Sequence, residues 1–208
     1  DEALQRKTWF GLYQFANVKP GQMTGFTQRG LKQSEERVAK ASTYVLPSNG
    51  PLVSVIVPNY NHADYLDERI STIVNQSYKN IEVLLMDDCS TDDSRAVLEK
   101  WAAKDDRIEV LFNEKNSGSP FAQWERGSVW AKGKYLWIAE SDDACALDML
   151  ALHVDALERN EKAVMAFSHS YLVDEKGSFL RDFREDYGFI FGDASRWKSD
   201  FTVEGKVE

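Results

Sequence analysis

Apolar positions along the chain fall into two regimes. From Leu52 onward, short apolar runs rich in β-branched residues alternate with segments whose apolar residues recur at helical spacing. Leu52–Val57, LVSVIV, is apolar almost throughout, as a parallel strand covered on both faces is. After a break at Pro58-Asn-Tyr-Asn61, Leu66, Ile70, Ile73 and Val74 sit at i, i+4, i+7 and i+8, one face of a helix. Asp64 is its expected N-cap, with Asp67 and Glu68 in the first turn. Ile81–Met86 reads as the second strand, closed by Asp87–Asp92, and a helix to about Ala103 buries Val97, Leu98 and Trp101. Ile108–Phe112 is the third strand. The loop Asn113–Ser119 then leads to Pro120, where a first helical position tolerates proline, and to a helix over Phe121–Ala131. Tyr135–Ala139 is the fourth strand. Asp148–Arg159 is a helix with Met149, Leu152, His153, Ala156 and Leu157 inward, and Val164–Ser168 is a fifth strand. Tyr171–Val173 and Ser178–Phe183 read as a hairpin about the turn Asp174–Gly177.

Residues 1–50 differ in character. Glu2–Phe15 and Leu31–Tyr44 are helical candidates separated by a Pro- and Gly-punctuated loop, and Pro47–Pro51 is a linker. The expectation is a helical arm over residues 1–50, followed by an α/β domain over residues 51–208. Strand and helix alternate four times in that domain, which means βαβ units and a mostly parallel sheet flanked by helices. Ligands of such sheets bind outside the carboxyl ends of the strands. The unusual residues lie at those ends: Pro58–Asn61, Asp87–Ser90, Asn113–Gly118 and Glu140–Asp143.

The acidic loop after the fourth strand carries Glu140, Asp142 and Asp143. Carboxylates at the end of a buried strand are costly to desolvate without a positive partner. A hard divalent cation with a phosphate-bearing ligand would supply one, whereas a lone acidic loop is more often a solvated helix cap. Tyr60 either stacks on a nucleobase or packs on the following helix. Asp87 forms a turn with Ser90, and Asp88 either joins that turn or accepts from a base or ribose. Asn116-Ser-Gly118 lets backbone approach a ligand closely. His153 falls on an apolar helix face and reads as a core residue. No GxGxxG and no phosphate loop follows the first strand, which disfavours dinucleotide-binding and phosphate-loop enzymes, and nucleotidyltransferases lack their glycine-rich basic loop here.

Net charge is −9, which argues against nucleic-acid or anionic-membrane binding but allows an anionic nucleotide held through a metal. No apolar run reaches the ~18 residues of a membrane span. Cys89 and Cys145 have neither metal-type spacing nor the look of a disulfide framework, so a reducing, cytosolic setting is expected. The chain starts at Asp1 and reads as a piece of a longer protein.

Taken in order, Val53–Leu66, Ile70–Gln76, Ser77–Val83, Leu84–Asp92, Asn116-Ser-Gly118 and Glu140-Ser-Asp-Asp143 resemble the family 2 glycosyltransferases with a GT-A fold. The resemblance covers roughly Leu52 to Asp174. It implies an inverting transfer of sugar from a nucleotide-diphosphate sugar, UDP-linked by expectation, to an acceptor hydroxyl of a glycan or lipid-linked glycan. Mg²⁺ or Mn²⁺ would assist. Polysaccharide or glycoconjugate synthesis is the implied setting, in the cytoplasm or peripherally at the inner face of the membrane. Carried over, Pro58 and Tyr60 line the base pocket, Asp88 contacts base or ribose, and Asn116 and Gly118 approach the nucleotide. Glu140-x-Asp142 matches the DxD motif: Asp142 ligates the metal, Glu140 holds the ribose or assists the metal, and Asp143 supports from behind. Glu140 departs from the usual first Asp, and Cys89 stands where glycine is frequent. No residue matches the family's catalytic base, and Asp174 sits in the hairpin turn. The expectation is therefore a donor half lacking part of the acceptor side; the rival is a nucleotide-sugar-binding module without turnover.

Overall fold

The computed structural model describes residues 8–10, 50–168, 170–173 and 179–182. In chain order the elements are β1 (Thr8–Phe10), β2 (Val53–Asn59), α1 (Ala63–Val74), β3 (Ile81–Asp87), α2 (Ser94–Ala102), β4 (Ile108–Phe112), α3 (Pro120–Trp130), β5 (Tyr135–Ile138), α4 (Met149–Glu158), β6 (Met165–Ala166), β7 (Tyr171–Val173) and β8 (Phe179–Asp182). Six strands form one sheet in the order β4-β3-β2-β5-β1-β6, and every recorded pairing in it is parallel. β7 and β8 form the expected antiparallel hairpin; its turn at Asp174–Gly177 lies outside the described residues.

All seven residues of β2 are buried, because helices cover both faces of the sheet. Alternation along the strands sorts side chains into two layers. Val53, Val55, Val57, Val83 and Leu85 pack with Leu66, Ile70 and Ile73 of α1, Leu98 of α2, and Leu150, Val154 and Leu157 of α4. Ile56, Leu84, Met86, Leu136 and Ile138 pack on the other side, against Trp124, Trp130 and Ala131. α3 reaches the sheet closely through Gly127, where a Cβ would lie 2.8 Å from the Ile56 side chain and 2.9 Å from the Met86 sulfur.

Several expectations need correction. Thr8–Phe10 lies within the expected helix Glu2–Phe15 but is a strand between β5 and β6. Thr, Trp and Phe favour a pleated surface, and a free strand edge overrides a marginal helical pattern. The remainder of the expected arm lies outside the described residues. The N-cap of α1 is His62, and Asp64 sits in the first turn. On α4 the buried residues are Met149, Leu150, His153, Val154 and Leu157, whereas Leu152 is exposed. The helix is turned by about one position because its apolar residues are dense enough to offer two stripes. The fifth strand shrinks to Met165–Ala166. Among the described residues no helix is long and apolar enough to cross a membrane.

Gly127→Ala should lower stability by about 1–3 kcal/mol, since Ile56 and Met86 must move to admit the methyl group. Chemical denaturation would measure it; an unchanged midpoint would mean the α3–sheet contact yields freely.

Candidate functional site

The chain reverses direction across the sheet at β2. β3 and β4 extend to one side of it and β5 lies on the other. The loops after β2 and β5 lie beside each other at the carboxyl edge of this switch point, the usual ligand position in such sheets, with α1 and α4 on one face behind them and α3 on the other. A hydrogen bond of 2.7 Å between His62 Nδ1 and Ser141 Oγ joins the two loops. Registers Asn59↔Asp87, Asp87↔Phe112 and Ile56↔Ile138 bring the ends of four strands to this one edge. Pro58, Tyr60, Asp88, Asn116, Gly118, Glu140, Asp142 and Asp143 all belong to these strand ends or to the loops that leave them.

The loops are stitched by side chains. Asp87 accepts from Asn59 Nδ2 at 2.9 Å and from the Ser90 N–H at 3.0 Å, which is the turn expected of it. Asn61 and Cys89 have positive φ, 56° and 63°. The Cys89 backbone is thus in the left-handed region where glycine is unstrained. Asp92 Oδ2 accepts the Ala63 N–H at 2.9 Å and so satisfies the start of α1 from the neighbouring loop, a role His62 does not fill. Burial works against its charge, but hydrogen bonds from Ser94 and Ala63 outweigh that and hold it below the usual carboxylate range.

Asp88 is buried and is the knot of the loop after β4. Its carboxylate accepts from Asn113 Nδ2 (2.6 Å), the Ser117 N–H (2.9 Å), Ser117 Oγ (2.7 Å) and Gln123 Nε2 (2.8 Å). Asn116 donates to the Asp88 carbonyl and accepts the Gly118 N–H, and Gly118 turns with φ +70°. Beside this knot lies a cavity of about 480 Å³ lined by Phe112, Asn113, Lys115, Ser117, Gln123 and Arg126, among others. Tyr60 is 47% exposed in the loop after β2, so about half of it is open to a ligand.

The acidic loop is held from three directions. His62 takes Ser141. The indole N–H of Trp124 stabilises the ionised form of Glu140, although it lies outside hydrogen-bond geometry. The third support is Arg69, fully buried on α1, whose charge acts on both Glu140 and Asp143. Burial raises the pKa of Glu140, with the Asp142 charge adding to it; Arg69 and Trp124 oppose. Asp143 is pushed up to about 8 by burial, against the pull of Arg69 and with repulsion from Asp142 and Glu140. Both its oxygens are buried without a hydrogen-bond partner among the described residues. Asp142 is half-buried. Downstream, Gln76 clamps the loop to α1 and α4: its amide donates to the Thr72 and Ala146 carbonyls, and its oxygen accepts the Leu150 N–H.

Sequence reasoning missed Arg69, Gln76 and Trp124. Arg69 carried a signal: a charge at position i+3 from Leu66, on the apolar stripe of α1. Gln76 and Trp124 carried none, because their role depends on partners about 70 and 16 residues away in the chain.

The donor set suits a hard divalent cation, being oxygen only, with the orphaned oxygens of Asp143 next to half-buried Asp142. Among the described residues no three His, Cys, Asp or Glu side chains form a cage of their own. Such an ion would draw on one or two carboxylates and complete its shell from a ligand's phosphates and water, as Mg²⁺-type sites do.

A family model described as Glycosyl transferase family 2 matches residues 54–204. The chain is 34% identical over 133 residues to a putative teichuronic acid biosynthesis glycosyltransferase, TuaG, of Bacillus subtilis, covering 64% of this chain and 52% of the relative. It is 36% identical over 154 residues to the glycosyltransferase GlyG of Streptococcus pneumoniae, covering 74% of this chain and 46% of the relative. The chain thus spans about half the length of the curated relatives it matches. Among solved structures, residues 1–349 of S. aureus TarS in complex with UDP-GlcNAc align with TM-score 0.50 and 30% identity, over 52% of this chain and 32% of that one.

In the metal-free folded protein Asp143 keeps its proton up to about pH 8, whereas a carboxylate of its kind ordinarily loses it near 3.8. The folded form therefore binds the extra proton, so this contribution to stability is complete below about pH 4 and fades as pH rises to 8. Urea midpoints in EDTA should show the wild type losing stability relative to Asp143→Asn between pH 5 and pH 8. Parallel pH profiles would contradict the assignment.

Proposed function

The chain belongs to the family 2 glycosyltransferases, and from that premise we propose that it holds the donor-binding part of an enzyme moving a sugar from a nucleotide-diphosphate sugar to an acceptor hydroxyl, with inversion. The observation that carries the proposal is the carboxyl edge of the neighbouring strands β2 and β5, which an exposed ring, Tyr60, and an acidic loop with orphaned buried oxygens share. The UDP-GlcNAc complex named for TarS supports a UDP-linked donor. The base would stack on Tyr60 beside Pro58, near the loop that Asp88, Asn116 and Gly118 shape. Asp88 spends most of its acceptor capacity on that loop, so its contribution to nucleotide binding would be largely to keep the loop in place.

Asp142 would hold Mg²⁺ or Mn²⁺ on its accessible side, with Glu140 toward the ribose or the ion and Asp143 behind. When bound, the ion would stabilise the negative charge that builds on the departing diphosphate. The transfer forms a bond from the acceptor oxygen to the anomeric carbon and breaks the bond from that carbon to the diphosphate oxygen. The hydroxyl proton passes to a base. No residue assigned here supplies that base; Asp174 lies outside the described residues. Glycan or lipid-linked acceptors, polysaccharide or glycoconjugate synthesis and a cytoplasmic or inner-face setting belong to the same proposal, on family analogy. So does a donor domain over residues 51–208, to whose sheet Thr8–Phe10 adds a strand.

Asp142→Ala should abolish the Mn²⁺-dependent part of UDP binding in calorimetry while leaving the melting temperature within a few degrees. Undiminished Mn²⁺-dependent affinity in that variant would remove the metal-ligand assignment. UDP-sugar turnover by the wild-type chain would exclude a binding module without turnover.

A further inference from the structure

A guanidinium on the apolar stripe of a helix is costly unless something answers it. Arg69 lies on that stripe of α1, between Leu66 and Ile70, with no exposed surface. Its Nε, Nη1 and Nη2 have no hydrogen-bond partner among the described residues. One face of the guanidinium meets the ring of Trp137, 5.2 Å from the centroid, inside the sheet layer. Its charge acts on Glu140, Asp143 and Cys145, all in or just past the acidic loop. Asp143, in turn, offers two buried oxygens that no donor among the described residues reaches. α1 is tied to that loop on either side of Arg69, at His62–Ser141 and at Gln76–Ala146, so a buried cation and a buried carboxyl group, neither with a hydrogen-bond partner among the described residues, stand in one another's field.

We propose that Arg69 is a positioning residue of the donor site: its buried charge offsets that of the Glu140–Asp143 loop and keeps the loop in a form that accepts an anionic diphosphate. The inference rests on the donor-site reading given above. Glu140, Asp142 and Asp143 put three carboxyl groups within four residues, and a nucleoside diphosphate adds negative charge of its own. One divalent ion cannot balance both. A fixed cation behind the loop, shielded from water so that its field is weakly screened, supplies the remainder without competing for Asp142. The ring of Trp137 stabilises that cation further. No hydrogen bond is required of Arg69 for this role, which fits a guanidinium whose nitrogens have no partner within hydrogen-bond geometry among the described residues.

The test is calorimetric titration of the chain with UDP and with GDP, each with Mn²⁺, for wild type, Arg69→Met and Arg69→Lys, alongside their melting curves. Arg69→Met keeps the bulk and removes the charge; Arg69→Lys keeps the charge. A folded Arg69→Met is expected to bind about tenfold or more weakly, and Arg69→Lys to stay within about threefold of wild type. Rescue by Lys is what a purely space-filling arginine would not give. A cooperatively melting Arg69→Met with wild-type affinity would overturn the proposal. So would a folded Arg69→Lys that loses about tenfold, since shape and not charge would then matter. If Arg69→Met does not fold, Arg69→Lys decides alone. Failure of the wild type to bind either nucleotide would instead remove the donor-site reading, and this inference with it.

Discussion

Desolvation of carboxylates governs the carboxyl edge of this sheet. Burying the strands to both faces carries the acids that end them out of water, and each must find something to replace it. Asp87 and Asp88 find hydrogen-bond donors, and in doing so shape the turn at Ser90 and the loop at Ser117. Asp92 finds the backbone N–H groups at the starts of α1 and α2. Asp143 finds no donor among the described residues and, in spite of the field of Arg69, holds its proton to about pH 8. Asp142 keeps part of its water. These solutions grade from architecture to reactivity: a saturated carboxylate holds a loop, and an unsaturated one is available to a ligand.

Much of the fold was legible in the chain because the strands are long, fully apolar and bounded by sharp polar breaks. β2, β3, β4 and β5 begin and end within a residue or two of their sequence pattern, as does the face of α1 marked by Leu66, Ile70, Ile73 and Val74. Thr8–Phe10 was illegible because three residues carry too little periodicity, and their state is decided by a strand edge over 120 residues away in sequence. The α4 stripe misled because Leu150 and Leu152 are equally apolar, so only packing chooses between them.

The site divides along the same line. Acids at strand ends could be read, since position and residue type suffice. What each acid bonds to could not. Asp88 is bound by residues 25 to 35 positions downstream, in a loop whose conformation it helps create. The helix cap on α1 comes from Asp92, 29 residues beyond the N–H it satisfies. Arg69 was visible as a charge out of place, but the sign of its importance depends on Trp137 and Asp143, which only tertiary structure brings near.

Strand order has a consequence for how this protein is made. β2, β3 and β4 are consecutive in the chain and neighbours in the sheet, so they can pair as synthesis proceeds. β5 must travel back past both to reach β2, closing a span of some eighty residues; the bond from Gly133 to Ser54 bridges 79. Closing such a span costs chain entropy before any contact repays it, and it slows folding. Until β5 arrives, a nascent chain would present one side of β2 as an open edge, apolar and unpaired, a natural point for a chaperone to hold or for another chain to stick.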